Sequence, residues 1–298
     1  MRELHYLITT DDSGKPVSRI ARGRLSLSYH LFAQLKLQNA VLIDGAPVRA
    51  NYVVKPGERL TILLPEVREM SSAPPEDLPI NIVYQDEDLL IIDKPAPLPC
   101  QSTDRQRHGT LENRLAHSFG EGFVFRPINR LDKGTSGLMA TALHPHAQML
   151  LTKQLHTPAF LREYQAVAVG HLPQKEGVID APIGKADGAT VRREVRQDGK
   201  PARTHYRVLS ECDELSLVAL RLETGRTHQI RVHLAHIGCP IYGDFLYGEE
   251  RCDLPNRFAL HSHKISLKHP ISGEILSFSS ALPPEIGSIM TPYQSLGG

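Results

Sequence analysis

The stretch 126–142, R-P-I-N-R-L-D-K-G-T-S-G-L-M-A-T-A, constrains the fold more than any other part of the chain. Leu138, Met139, Ala140 and Ala142 predict a buried strand leaving a glycine-bounded turn. Asp132 stands at the mouth of that strand. Arg130 precedes it by two residues and Lys133 follows it, so positive charge is at hand to hold its carboxylate ionised. Asp and Gly are equally ordinary turn residues, and spacing alone also allows Asp132 to do no more than cap a backbone N–H.

Further strands are predicted at 4–9, between the turns D-G-A-P and K-P-G-E, as a pair around Q-D-E-D from residue 80, and at 160–169, 202–209, 215–222 and 258–267. Helical spacing marks 25–38, with Leu31, Phe32, Leu35 and Leu37 on one face. It also marks 110–119, capped by Thr110 with Leu111, Leu115 and His117 near one face, and 145–155, carrying Met149, Leu150 and Leu151 inward. Clustered strands with a few interspersed helices predict an α+β fold with a largely antiparallel sheet.

A chain of 298 residues has room for one large domain and one small one. The expected division is a small module at 1–65, a linker at 66–79, a large domain at 80–290 and a tail at 291–298. The linker is the run P-E-V-R-E-M-S-S-A-P-P-E-D-L-P, rich in proline, serine and acid and without periodicity.

Net charge is only +1, which excludes a protein coated in positive charge for indiscriminate nucleic-acid binding. The distribution is uneven. Residues 1–65 carry nine Lys and Arg against five Asp and Glu, 66–88 carry one against seven, and 183–207 carry seven against three. Two basic surfaces separated by an acidic connector fit contact with a polyanion, although charge runs are also simply solvated faces. No apolar run is long enough for a membrane helix and the N-terminus lacks a secretory signal, so a cytoplasmic protein is expected. Cys100, Cys212, Cys239 and Cys252 are scattered and form no C-x-x-C pair, which gives neither a disulfide framework nor a zinc knuckle.

Three blocks then stand in order: N-R-L-D-K-G-T-S-G-L at 129–138, R-E-Y-Q-A-V-A-V-G at 162–170, and L-E-T-G-R-T-H-Q-I-R-V-H-L-A-H-I-G-C-P-I-Y-G-D-F-L-Y-G at 222–248. Together they resemble the RluA-type RNA pseudouridine synthases, with Asn129 where that family usually has histidine. The first 65 residues are similar, more loosely, to the alpha-L RNA-binding motif that often precedes the catalytic domain there, through Arg22, Arg24, Ser26 and Ser28. The resemblance implies a pseudouridine-synthase-like catalytic domain with a largely antiparallel mixed sheet and flanking helices, preceded by a small RNA-binding module.

It also implies roles. Asp132 would be the essential carboxylate, attacking the sugar or removing a sugar proton; the sequence leaves both routes open. Arg231 would pair with it, and Tyr164 would lie against an everted uracil, since base–aromatic stacking is worth roughly 1–3 kcal/mol against a flipping cost of a few kcal/mol. Leu260 would pack the tyrosine ring, Arg130 would displace the target nucleotide, and Arg226 and His228 would meet phosphate at a helix start. In the small module Lys36 and Arg49 are the candidate phosphate contacts. No cofactor or metal is implied.

Among fifteen histidines, His233 with His236 and His261 with His263 have spacings compatible with ligation, but no H-E-x-x-H or cysteine pair accompanies them. The expected activity is therefore isomerisation of uridines in structured RNA, ribosomal RNA ahead of transfer RNA, by a monomer. The competing readings are an RNA-binding or ribosome-assembly factor without turnover, and a metal-dependent hydrolase.

Overall fold

The computed structural model describes residues 2–64, 73–120, 122–155 and 157–291. The chain divides into two compact units, 1–69 and 70–298. In the first, β1 (Arg2–Leu7), α1 (Val17–Gly23), α2 (Tyr29–Leu37), β2 (Val41–Ile43), β3 (Ala46–Pro47) and β4 (Arg59–Leu64) follow in turn. The strands make an antiparallel sheet ordered β1-β4-β2-β3.

Of the helix predicted over 25–38 only Tyr29–Leu37 is helical, because Ser26 adopts a φ of 53° and Ser28 caps α2 by accepting from the Leu31 N–H at 3.1 Å. Phe32 and Leu35 are buried, whereas Leu37, at the end of α2, is 80% exposed. Ala40 takes the inward place once Asn39 has turned the chain at a φ of 54°. The unexpected α1 buries Val17, Ile20 and Ala21, an i, i+3, i+4 stripe hidden behind the turn D-D-S-G-K-P. Within that turn Asp12 is buried. Hydrogen bonds from Tyr6, then Thr9 and Arg24, hold its carboxyl well below the usual carboxylate range despite the opposing effect of burial.

The second unit contains β5 (Asn81–Gln85), β6 (Leu89–Lys94), α3 (Leu111–Phe119), β7 (Arg126–Pro127), β8 (Ser136–Ala142), α4 (Pro145–Gln154), β9 (Phe160–Val169), β10 (Glu176–Asp180), β11 (Ile183–Lys185), β12 (Arg193–Val195), β13 (Arg203–Cys212), β14 (Leu215–Leu222), α5 (Gln229–His236), β15 (Leu260–Lys268), β16 (Ile275–Ser279) and α6 (Pro284–Gly287). Its main sheet runs β10-β13-β14-β9-β15-β8-β6-β5, with β16 on β15 and β7 on β8; β11 and β12 form a separate hairpin. Pairing is antiparallel except between β15 and β8, so the fold is α+β with a mixed, largely antiparallel sheet.

Alternation explains the apolar runs in β6 and β8. Leu90, Ile92 and Met139 join the core on one face, while Leu89, Ile91, Leu138 and Ala140 join Ala147 and Leu151 of α4 on the other. The parallel seam needs Gly137: its φ is 104°, and a Cβ there would lie 2.3 Å from the Ser262 carbonyl oxygen. On α4 the inward residues are His146, Ala147 and Leu151, while Met149 and Leu150 are only half-buried.

Thr110 caps α3 as expected, with Asn113 completing a capping box. Asn113, not His117, is the third inward residue, because its amide donates to the carbonyls of Pro74 at 2.7 Å and Arg107 at 2.9 Å. Glu76 adds bonds from its N–H to the Asn113 carbonyl and from the Gly109 N–H to its carboxylate. Residues 73–79 of the expected linker are therefore fastened to this unit. Residues 65–72, and 292–298 of the expected tail, lie outside the described residues.

Candidate active site

A cleft of about 800 Å³ opens where the loop before β8, the pocket face of β9 and the start of α5 meet, and Asp132, Tyr164, Leu260, Arg130, Arg226, His228 and Arg231 all line it. The Asp132 loop is tied down from behind. The Leu98 N–H donates to the Lys133 carbonyl at 2.9 Å and Cys100 Sγ donates to the Leu131 carbonyl at 3.1 Å. Fully buried Lys94 donates to the carbonyls of Pro95 (3.0 Å) and Leu98 (2.7 Å); burial pushes its ammonium down to about 8.

The cation beside Asp132 is not a sequence neighbour. Arg130 is exposed and reaches Gln101 Oε1 at 3.4 Å, and Lys133 is exposed. Instead Arg231, ninety-nine residues away, donates from Nη1 to Asp132 Oδ2 at 3.1 Å. The Asp132 side chain remains 30% exposed to the cleft, while that of Arg231 is 4% exposed.

Arg231 divides its donors. Nε and Nη2 form a fork on Asp244 at 2.7 and 2.8 Å, leaving Nη1 for Asp132, and the guanidinium lies 4.2 Å from the Phe258 ring centroid. Asp244 is fully buried and also accepts from the Leu246 N–H. It lies inside the third sequence block, but no role was assigned to it: a D-F-L-Y run gives no local sign that it faces an arginine one helix earlier.

The turn before α5 is organised by Gln229. Its oxygen accepts from Thr224 Oγ1 and the Arg226 N–H, and its amide donates to the Arg203 carbonyl and Thr204 Oγ1. Arg226 donates from Nε to the Pro201 carbonyl. His228 adopts a left-handed φ of 58°, which turns its ring into the cleft. Tyr247 Oη accepts from the Arg193 N–H and shares a hydrogen bond with His228 Nδ1 at 2.8 Å. His228 Nε2 faces Asp132 at 3.9 Å. Burial holds this imidazole below its ordinary value, so it is neutral at physiological pH.

Tyr164 is buried on β9, with its phenol pushed upward by burial; Ser262 of β15 pairs with it, and Leu260, which also lines the cleft, pairs with Ala166 two residues along. Lys36 and Arg49 belong to the first unit, where both are exposed.

Of the four histidines considered as metal ligands, three are engaged otherwise, and His236 is exposed. His233 bonds Thr204 and the Ala181 carbonyl, and His261 bonds Ser136 and the Ser280 carbonyl. His263 bonds the same Ser280 carbonyl. Asp86, Asp88 and His269 do cluster, with candidate ligand atoms within 4.8 Å of one another. The Ile271 and Ser272 N–H groups donate to His269 Nδ1, so Nε2 carries the hydrogen and donates to Asp86 at 2.8 Å. An imidazole used this way has no lone pair left for an ion.

The profile of the RNA pseudouridylate synthase family matches residues 88–236, which spans the Asp132 loop, β9 and α5. The chain belongs to this family. It is 36% identical over 299 aligned residues to the uncharacterized RNA pseudouridine synthase YhcT of Bacillus subtilis (strain 168), covering 99% of this chain and 98% of that one. It is 40% identical to the ribosomal large subunit pseudouridine synthase D of Nitrosomonas europaea, over 87% of this chain and 78% of the relative. Among solved structures, human RNA pseudouridylate synthase domain containing 1 superposes with a TM-score of 0.59 at 26% identity, covering 75% of this chain and 94% of that one. As a pseudouridine synthase the protein is an isomerase acting on RNA.

Proposed function

We propose that this pseudouridine synthase works through Asp132 on an everted uridine of structured RNA, with ribosomal RNA preferred to transfer RNA. The observation carrying the reading is the 3.1 Å bond from Arg231 to Asp132 inside a cleft that Tyr164 and Leu260 also line. The N1–C1′ bond breaks with both electrons passing to uracil. Asp132 meets the sugar by bonding C1′ or by taking the C2′ proton, and uracil turns; C5 then bonds C1′ as the Asp132–C1′ bond breaks or the C2′ proton is returned, and C5 gives up its proton while N1 gains one. Arg231, itself locked by Asp244, keeps the carboxylate aimed. Tyr164 supplies the face for the base and Leu260 packs its ring.

Arg130, exposed at the rim, suits entry into the stack that the nucleotide leaves, while Arg226 and His228 suit the backbone at the mouth. The preference for ribosomal RNA is supported by the synthase D relatives and by the basic first unit, whose exposed Lys36 and Arg49 offer phosphate contacts.

The test is nucleoside analysis of ribosomal and transfer RNA from a deletion strain complemented with wild type or Asp132→Asn. Loss of a catalytic group that acts in concert with others typically costs about four orders of magnitude or more, so the variant should restore no pseudouridine. Restoration by Asp132→Asn would instead favour a binding or assembly role.

A further inference from the structure

Arg162 is a buried cation to which the described residues give no counterpart. It is 4% exposed and lines the cleft two residues before Tyr164 on the same face of β9, yet its Nε and Nη2 are sealed from solvent without a hydrogen-bond partner among the described residues. No carboxylate among those residues pairs with it either, and its ring contact, with Phe160 at 5.9 Å, supplies no acceptor. An unpaired buried charge is strongly unfavourable unless something else completes it. The surroundings leave room for that: residue 225 is a glycine, and a Cβ there would come within 3.2 Å of Nη1.

We infer that Arg162 is a further catalytic residue, whose guanidinium takes the carbonyl oxygens of the everted uracil and stabilises the charge that uracil acquires when it leaves the sugar. The inference rests on the reaction proposed above. When the N1–C1′ bond breaks, the electron pair remains on uracil, spread over N1, O2 and O4, while Asp132 satisfies the sugar. A negative charge then exists in a cleft whose other buried arginine, Arg231, is already committed to two carboxylates. A fixed donor set aimed at oxygen atoms that gain charge only during reaction is how an oxyanion is stabilised. Phosphate fits less well, because an everted nucleotide enters base first and the backbone stays above the base that it carries, whereas Arg162 lies in the wall beside Tyr164.

The test is first-turnover cleavage of the N1–C1′ bond in uridine-containing RNA and in the same RNA with 5-fluorouridine at the target, where C5 carries fluorine and has no proton to give up, by wild type, Arg162→Met and Arg162→Lys. RNA affinity and thermal stability are measured alongside. Fluorine makes uracil a better leaving group and reduces its need for help. Arg162→Met should break this bond in uridine about 100-fold more slowly, the usual order for loss of one oxyanion donor, with RNA affinity unchanged and a smaller loss on 5-fluorouridine. The free variant should be at least as heat-stable as wild type, because an unpaired charge has been replaced by an apolar chain. Arg162→Lys, which keeps charge but loses the fork, should fall between the two and carries the same comparison if the methionine variant does not fold. Unchanged bond cleavage would overturn the inference. So would an equal loss on both RNAs with weaker, less salt-dependent binding, the signature of a lost phosphate contact. If wild type itself cleaves the bond in neither RNA, it is the proposed function that fails.

Discussion

The two buried arginines of the cleft, Arg231 on α5 and Arg162 on β9, are held in opposite ways. Arg231 is 3% exposed and spends its nitrogens on Asp244 and Asp132, while Arg162 is 4% exposed and spends none on the described residues. Equal burial therefore does not mean equal function. A guanidinium whose acceptors are built into the fold works as a positioning element, since its geometry is fixed before RNA arrives. One whose acceptors are missing is stable only to the extent that a ligand provides them. The α5 side of the cleft is thus complete in the free protein, and the β9 side is completed by substrate.

The sharpest way to break this contrast is to make Arg231 resemble Arg162. Asp244→Ala removes the fork and leaves a buried charge with one partner, a change that typically costs about 3–5 kcal/mol. Urea unfolding should show a loss of that size, with conversion falling further because Nη1 is no longer held toward Asp132. The contrast with Arg162→Met, expected to lose activity without losing stability, makes the pair diagnostic. If both variants were equally destabilised, the distinction between a positioning and a substrate-completed arginine would not hold.

A smaller effect is expected at Tyr247, which orients His228 and lies with its ring centroid 5.0 Å from the Arg231 guanidinium. Tyr247→Phe keeps the ring and removes the hydrogen bond to His228 Nδ1, freeing the imidazole to turn away from Asp132. A single neutral hydrogen bond contributes about 0.5–1.5 kcal/mol, so first-turnover conversion should fall by tenfold or less. His228→Asn tested in the same background should then add little further loss, since the two residues act as one unit.

What the sequence made legible follows the range over which each interaction acts. Capping of α3 by Thr110 and burial of β8 are local and were readable from spacing. The pairing of Asp132 with Arg231 was reached only through resemblance; local reasoning offered Arg130 and Lys133, and the structure uses neither. Asp244 and Tyr247 were quoted inside a recognised block yet went unassigned, because their partners come from another turn of the chain. Helical spacing puts His117 near the face of Leu111 and Leu115, but Asn113 is buried and His117 exposed, because a polar side chain with enough carbonyl partners can be buried at no loss. Arg162 was passed over for a different reason. What distinguishes it is the absence of a partner, and no sequence pattern records that.

The same logic of completed and uncompleted burial gives the smallest expected effect, a pH dependence of stability. His233 and His261 are buried and His228 partly so, and all three have imidazoles pushed below the ordinary value of 6.5, burial being the leading cause in each. Below that value the unfolded chain takes up protons that the folded protein refuses until a lower pH, so the unfolded state binds more protons and stability falls as pH drops. Unlike arginine, a buried histidine relieves an unfavourable charge by staying neutral, which is why these three are tolerated without carboxylate partners in hydrogen-bond contact. Urea unfolding followed downward from neutral pH should show this loss beginning near 6.5, the window set by these depressed values. His233→Gln, which keeps an amide for Thr204 and the Ala181 carbonyl, should flatten the slope by at most one proton. An unchanged slope would mean that His233 titrates alike in both states, and that its burial is not what keeps it neutral.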